Sequence, residues 1–216
     1  MPLINTMKNK KTVIFDFDGT IADTFGVVIE MMDKIAEELG FKRLNKGQAK
    51  KLRDKTAREI MELFEVSIFQ VPFVMRKLRV MFGEHLDDVE IIKGIFEVLI
   101  ELKKRKYNLG IVSSNNKNGV EKILKREELY ELFDFIVTGS SIWGKDKILR
   151  KVLKDHNLKS QETVYIGDET RDIEAAQKTE IDIISVSWGF DSESLLKKHN
   201  PTVLLGAPLE ILSVLE

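Results

Sequence analysis

The sequence predicts an α/β fold: a doubly wound parallel sheet with a small all-helical domain inserted after the first strand. Three observations lead there. From Leu109 to Val186, short apolar strand patterns alternate with amphipathic helix patterns. Such alternation implies right-handed crossovers and a parallel sheet covered on both faces. Before that, no strand pattern occurs between Asp23 and Asp87, so this stretch is predicted to be helical. Finally, the β-branched and aromatic run Thr12-Val13-Ile14-Phe15 ends in Asp16-Phe17-Asp18-Gly19-Thr20. Packing does not explain an apolar strand that closes on paired acids, and open α/β sheets hold their ligands at the carboxyl ends of strands.

The first strand is predicted from Thr12 to Phe17, with Gly19 turning the chain. A long helix follows: Phe25, Val28, Ile29, Met32, Ile35, Ala36 and Leu39 share one face, and Gly40 stops it. Lys42 to Arg58 is strongly basic, which usually marks a solvated helix face. Arg53 and Lys55 lie near a loop and are the residues of this stretch favoured to meet an anionic substrate. Helical patterns recur around Ala57 to Phe64 and Phe69 to Phe82, with Phe69, Phe73 and Phe82 expected in the insertion's own core. Ile95 to Leu102 is an amphipathic helix and Leu109 to Val112 a strand ending in Ser113-Ser114-Asn115-Asn116. Val120 to Leu124 reads as helix, Phe135 to Val137 as strand, and Ile148 to Leu153 as helix. Thr163 to Ile166 is a strand ending in Gly167-Asp168, followed by a short helix from about Asp172. Ile181 to Val186 is read as the last parallel strand, and two helices near Ser192 to Lys198 and Leu209 to Leu215 close the chain. The expected domains are residues 1–22 with 88–216 as an α/β core, and 23–87 as the inserted helical unit. Trp143 and Trp188 read as packing residues, and the three histidines as surface residues.

The 216 residues suffice for one medium domain with a modest insertion, and 43% hydrophobic with 32% charged content supports a packed core. A net charge of −1 argues against a general nucleic-acid binder. No cysteine is present, which excludes disulfides, thiolate zinc sites and thiol nucleophiles. The polar start, Met1 to Lys11, has no apolar signal core, and Met7 is an alternative start. No apolar run is long enough to span a bilayer, so a soluble cytoplasmic protein is expected, without a membrane partner.

Polar residues at the predicted element ends form one set: Asp16 and Asp18, Ser113, Lys145 and Asp168. Carboxylates without imidazole or thiolate suit a hard, oxygen-seeking ion such as Mg²⁺. Phosphoryl transfer needs such an ion, with cations to offset charge on the equatorial oxygens. Thr20, Ser114 and Asn115 join Ser113 and Lys145 as candidates for the phosphate. Ser114 competes with Ser113 for the hydroxyl role, and Lys147 stands close to Lys145. Glu169 reads equally as a metal-site acid or as a first-turn residue favoured by the helix dipole.

Over nearly its whole length the chain resembles the haloacid dehalogenase-like (HAD) hydrolase superfamily. Asp16-Phe17-Asp18-Gly19-Thr20-Ile21-Ala22-Asp23-Thr24 is similar to the family's first motif. Ser113 after Gly110-Ile111-Val112 resembles the second, Lys145 the third and Gly167-Asp168-Glu169-Thr170-Arg171-Asp172 the fourth. The third motif departs from the commoner pattern, with Asp146 where proline usually follows the lysine. The helical insertion resembles a C1-type cap, and the whole resembles the phosphoglycolate phosphatase and β-phosphoglucomutase branch, with a Rossmann-like core. The resemblance implies a Mg²⁺-dependent phosphatase acting on a small phosphorylated metabolite. Asp16 would attack phosphorus to form an aspartyl-phosphate, and Asp18 would protonate the leaving alcohol and then activate water. Asp18 would be kept protonated by its neighbouring acid. Mg²⁺ would bridge Asp16, the backbone carbonyl of Asp18, and Asp168, with Asp172 a ligand directly or through water. Ser113 and Lys145 would bind phosphate oxygens, and Lys145 would hold Asp16 charged. A phosphosugar mutase, and a non-catalytic phospho-ligand module on the same fold, stand as alternatives. Asp18 argues against a dehalogenase, which has no leaving alcohol to protonate.

Overall fold

The computed structural model describes residues 7–43, 49–139 and 144–215, with side chains from residue 51 onward in the second segment. Its centre is a six-stranded, wholly parallel sheet. The strands are β1 (Thr12–Phe15), β4 (Asn108–Ser113), β5 (Phe135–Thr138), β6 (Thr163–Gly167), β7 (Asp182–Val186) and β8 (Val203–Leu205). Their spatial order is β5-β4-β1-β6-β7-β8. Every residue of β1 and β6 is buried, as the unbroken apolar runs foretold. Helices α5 (Ile95–Lys104), α6 (Lys117–Arg126), α7 (Lys145–Asp155), α8 (Thr170–Thr179), α9 (Glu193–Lys198) and α10 (Ile211–Val214) punctuate this part of the chain.

This order has a consequence for function. The chain runs outward from β1 through β4 to β5, then jumps back to β6 on the other side of β1. Successive connections diverge at β1 and β6, which leaves a crevice at their carboxyl ends, where open α/β sheets bind ligands. Phe15 is level with Ile111 of β4 and Ile166 of β6. Asp16 is therefore the first residue past the strand, and Asp168 and Ser113 leave the sheet at nearly the same height.

Four helices lie between β1 and α5 among the described residues: α1 (Phe25–Leu39), α2 (Ala49–Leu52), α3 (Ala57–Leu63) and α4 (Val71–Phe82). Gly40 ends α1 in the left-handed region at φ +69°, its N–H bonded to the Ala36 carbonyl, as a glycine stop should. Thr56 and Glu59 bracket the start of α3 with reciprocal side-chain-to-backbone bonds, a capping box the sequence reading passed over.

Three features differ from expectation. Two-residue strands β2 (Ala22–Asp23) and β3 (Glu90–Ile91) pair antiparallel in a small ladder of their own, which ties together the two ends of the helical segment. Strand β8 extends the sheet beyond β7, which is therefore not the last parallel strand. Strands this short carry no readable period of two. Finally, Phe69 and Phe73 are exposed, whereas Phe82 is buried. The inward stripe of α4 is Val71, Val74, Leu78 and Phe82, and Phe73 falls off it. Met7 is fully buried. Lys46 and Trp143, and the side chain of Lys50, lie outside the described residues. No helix among the described residues is long and apolar enough to cross a membrane.

Candidate active site

The crevice between β1 and β6 gathers three buried carboxylates, Asp16, Asp168 and Asp172, each with an oxygen within 4.8 Å of the others. Each is built in from a different direction. Asp16 is placed by the end of β1, where its own N–H donates to the Ile166 carbonyl at 2.8 Å and its Oδ1 accepts from Phe17 N–H at 2.8 Å. Asp172 lies in the first turn of α8, and its Oδ2 accepts from the Glu169 N–H at 3.0 Å. Asp168 directly follows β6 and is held at 2.6 Å by Thr20 Oγ1 on one oxygen and by Phe190 N–H on the other. The backbone gives way around it: a β-carbon on Gly19 or Gly189 would lie 2.2 or 2.1 Å from Asp168 Oδ2. Gly19 also stands at φ +74°, a conformation that glycine adopts without strain.

Lys145 opens α7 and is buried against this cluster. Its Nζ is 2.7 Å from Asp16 Oδ2, contacts Asp172 Oδ1, and lies 5.3 Å from the centre of the Tyr165 ring. Lys147 is exposed, so geometry selects Lys145 of the two. Asp18 projects elsewhere. Asn115 Nδ2 lies 3.1 and 3.3 Å from its two oxygens, and Ser113 Oγ 3.4 Å from Oδ2. The paired acids thus meet different partners: a cation for Asp16, an amide and a hydroxyl for Asp18.

The charges follow from burial. Burial raises Asp16 to about 7, against the opposing pull of Lys145, while Asp172 adds to the rise. Lys145 alone therefore does not hold Asp16 at an ordinary carboxylate value. Burial also raises Asp18, and Asn115 works against it. Desolvation, more than the neighbouring acid invoked from sequence, protects its proton. Asp168 is raised well above its ordinary value by burial, then by Glu169, Asp16 and Asp172. Burial disfavours the Lys145 ammonium, yet Asp16 and Asp172 raise its value overall. Three buried acids this close resist ionising together, and an oxygen-ligated divalent cation would favour their charged forms.

Several of the expected site residues have partners within the protein. Thr20 and Asn115, expected at the phosphate, turn to protein carboxylates. The Thr20 hydroxyl is fully buried and donates to Asp168, and the Asn115 amide donates to Asp18. Ser113 is buried beside Asp18, whereas Ser114 is half-buried and its carbonyl accepts from Arg79 Nε at 3.3 Å. Glu169 stands outside the triad, caps α8 and pairs with Arg171. The carboxylate of Asp18 is also outside the triad. Arg53 and Lys55 do not line the cavity above Asp18. Instead the Arg53 guanidinium donates to the carbonyls of Trp188, at 2.7 Å, and Gly189, gripping the loop that holds Asp168. Trp188 donates from its indole to the Thr20 carbonyl at 3.2 Å. Elsewhere in the basic stretch, Arg43 pairs with Asp33 and Glu37, and Arg58 with Glu62, at the surface. Asp191, absent from the sequence reading, accepts from Thr170 N–H at 2.6 Å and is raised to about 8 by burial and Glu169. Nothing local in the sequence marks it, because its partner lies 21 residues away.

A family model described as haloacid dehalogenase-like hydrolase matches residues 13–186, a span that contains all four motifs. The chain belongs to the haloacid dehalogenase-like hydrolase family. Membership makes it an enzyme, and the named relatives place it near the phosphoglycolate phosphatase branch. It is 29% identical over 202 residues to a phosphoglycolate phosphatase of Synechococcus elongatus, covering 94% of this chain and 95% of that one. It is 27% identical over 209 residues to pyrophosphatase PpaX of Bacillus mycoides, covering 94% and 96%. A haloacid dehalogenase-like family protein from Streptococcus pneumoniae superposes with a TM-score of 0.81 at 22% identity, covering 97% of this chain and all of that one. At that identity the superposition speaks for the fold alone.

Proposed function

We propose that this hydrolase is a Mg²⁺-dependent phosphatase acting on a small phosphomonoester through an aspartyl-phosphate on Asp16. The observation that carries the proposal is the divergence of the paired acids: Asp16 sits against the Lys145 ammonium, while Asp18, two residues on, is met by the neutral Ser113 hydroxyl and Asn115 amide. Such separation of environments is how one site holds a nucleophile and a proton donor together.

The phosphoryl group would rest over Asp16, bounded by the Ser113 hydroxyl and the Lys145 ammonium. An Asp16 oxygen bonds to phosphorus as the bond to the leaving oxygen breaks. Asp18, kept protonated by burial, gives its proton to that oxygen. The resulting Asp18 carboxylate then takes a proton from the water that attacks the phosphoryl-aspartate, releasing phosphate and restoring Asp16. Asp16, Asp168 and the main chain of Asp18 would hold Mg²⁺, and Asp172 would position Lys145 and the ion. When bound, the ion supplies positive charge to the phosphoryl oxygens and to the ionised Asp16. Helical residues 23–87 would serve as a cap over the crevice. Phosphoglycolate, the substrate in the Synechococcus relative's name, is the reference against which others are measured.

With Mg²⁺ and p-nitrophenyl phosphate, Asp16→Asn is expected to abolish turnover while leaving the circular dichroism spectrum unchanged. Asp18→Asn should slow turnover by about 10²–10⁴-fold. Wild-type turnover in Asp16→Asn would refute the nucleophile assignment.

A further inference from the structure

The cavity that opens above Asp18 has two unlike walls. Its volume is about 150 Å³. The floor is polar, with Asp18, Ser114 and Asn115. The wall supplied by the helical segment is apolar, with Phe25, Met32, Ile60, Met61, Met75 and Phe82 among its residues. These residues come from α1, α3 and α4, so the apolar surface is a meeting of three helices rather than one chance side chain.

We infer that the preferred substrate is a phosphomonoester of a compact apolar alcohol, a branched alkyl chain or a single ring, with its body in this cavity and its phosphate at the floor. The inference rests on the phosphatase reading above and adds the chemistry of the leaving group. A polyhydroxylated body placed against these side chains would lose water from each hydroxyl without regaining a partner. A carboxylate there would fare worse unless a cation met it. Of the two arginines on the lining, Arg79 donates to the Ser114 carbonyl and Arg171 pairs with Glu169, its Nε buried without a partner, while Asp18, Glu169 and Asp191 on the same lining repel a further carboxylate. An apolar group meets no such cost, and an apolar cavity of roughly this size is large enough for a benzene-sized group. Four of the chain's seven methionines, Met31, Met32, Met61 and Met75, line the cavity. Their unbranched, polarisable side chains adapt to differing shapes. A family of related apolar alcohols fits such a wall better than one rigid molecule.

The test is a set of steady-state kcat/KM values for the full chain with Mg²⁺. Methyl, ethyl, propyl and 3-methylbutyl phosphate share leaving groups of similar acidity, so differences among them report binding of the body. 2-Phosphoglycolate, glycerol 3-phosphate and pyrophosphate complete the panel. The expected result is a rise of at least about tenfold from methyl to 3-methylbutyl phosphate, since one methylene in an apolar pocket changes kcat/KM by about 10–200-fold. 3-Methylbutyl phosphate should also exceed all three polar substrates. In Met75→Gln the ratio of 3-methylbutyl to methyl phosphate should fall by about tenfold. A flat alkyl series, or a preference for phosphoglycolate, glycerol phosphate or pyrophosphate, overturns the inference and leaves the phosphatase reading standing. Turnover of no substrate in the panel overturns the phosphatase reading itself.

Discussion

Gly189→Ala isolates the fit of Asp168 from every other property of the site. Gly189 is not among the residues with positive φ, so alanine fits its backbone. The perturbation is steric: the new methyl carbon would lie 2.1 Å from Asp168 Oδ2 and 2.3 Å from its Cγ. Relief to an ordinary 3.4 Å contact requires a retreat of more than 1 Å. The Asp168 carboxylate cannot make it and keep both 2.6 Å bonds, from Thr20 Oγ1 and Phe190 N–H. Moving the loop instead would pull the Trp188 and Gly189 carbonyls from Arg53. Either route gives up at least one hydrogen bond to a charged group, about 1.5–3 kcal/mol. The expected loss of stability is about 2–4 kcal/mol, read as a lower urea midpoint at constant slope. The Mg²⁺ concentration giving half-maximal p-nitrophenyl phosphate hydrolysis should rise by about 10–100-fold, the range for disturbing groups that orient metal ligands. A wild-type midpoint together with wild-type Mg²⁺ dependence would refute the claim that Gly189 is needed for the placement of Asp168.

Two further outcomes are expected. Gly26 lies on the exposed side of α1 with nothing within 4 Å of a β-carbon, so Gly26→Ala should raise stability by about 0.5–1 kcal/mol without changing kcat, as checked by urea unfolding and assay. The metal-free protein should lose stability between about pH 4 and pH 8. Asp16 and Asp191 are raised to about 7 and about 8 when folded, from 3.8, so over this range the folded state binds more protons than the unfolded. The stability they contribute is complete below the unfolded value and is lost as pH rises through the folded ones. Urea midpoints in EDTA at pH 5 and pH 8 should show the fall, and Mg²⁺ should reduce it by favouring the charged form of Asp16. A midpoint in EDTA that rises with pH would contradict the burial argument.

What could be read from the sequence was local or periodic. The run Thr12 to Phe15 is β-branched and aromatic throughout, as suits a strand buried on both faces, and its four residues announce β1 unaided. Gly40 stops α1 because a left-handed residue is needed there. Asp16, Asp18 and Asp168 could be found because acids are conspicuous after apolar strands. What the tertiary structure decided were partnerships across long separations. Thr20 meets Asp168 from 148 residues away, and Asn115 meets Asp18 from 97. Both donate to protein carboxylates, contacts that no local pattern in the sequence shows. Arg53 reaches a loop 135 residues on, and Phe73 turns to solvent because the phase of α4, set by packing, puts Val74 and Leu78 inside. The acids by themselves point to phosphoryl chemistry. The apolar character of the cavity over Asp18 arises only when α1, α3 and α4 converge, because periodicity tells which face of a helix is buried and not what that face will meet.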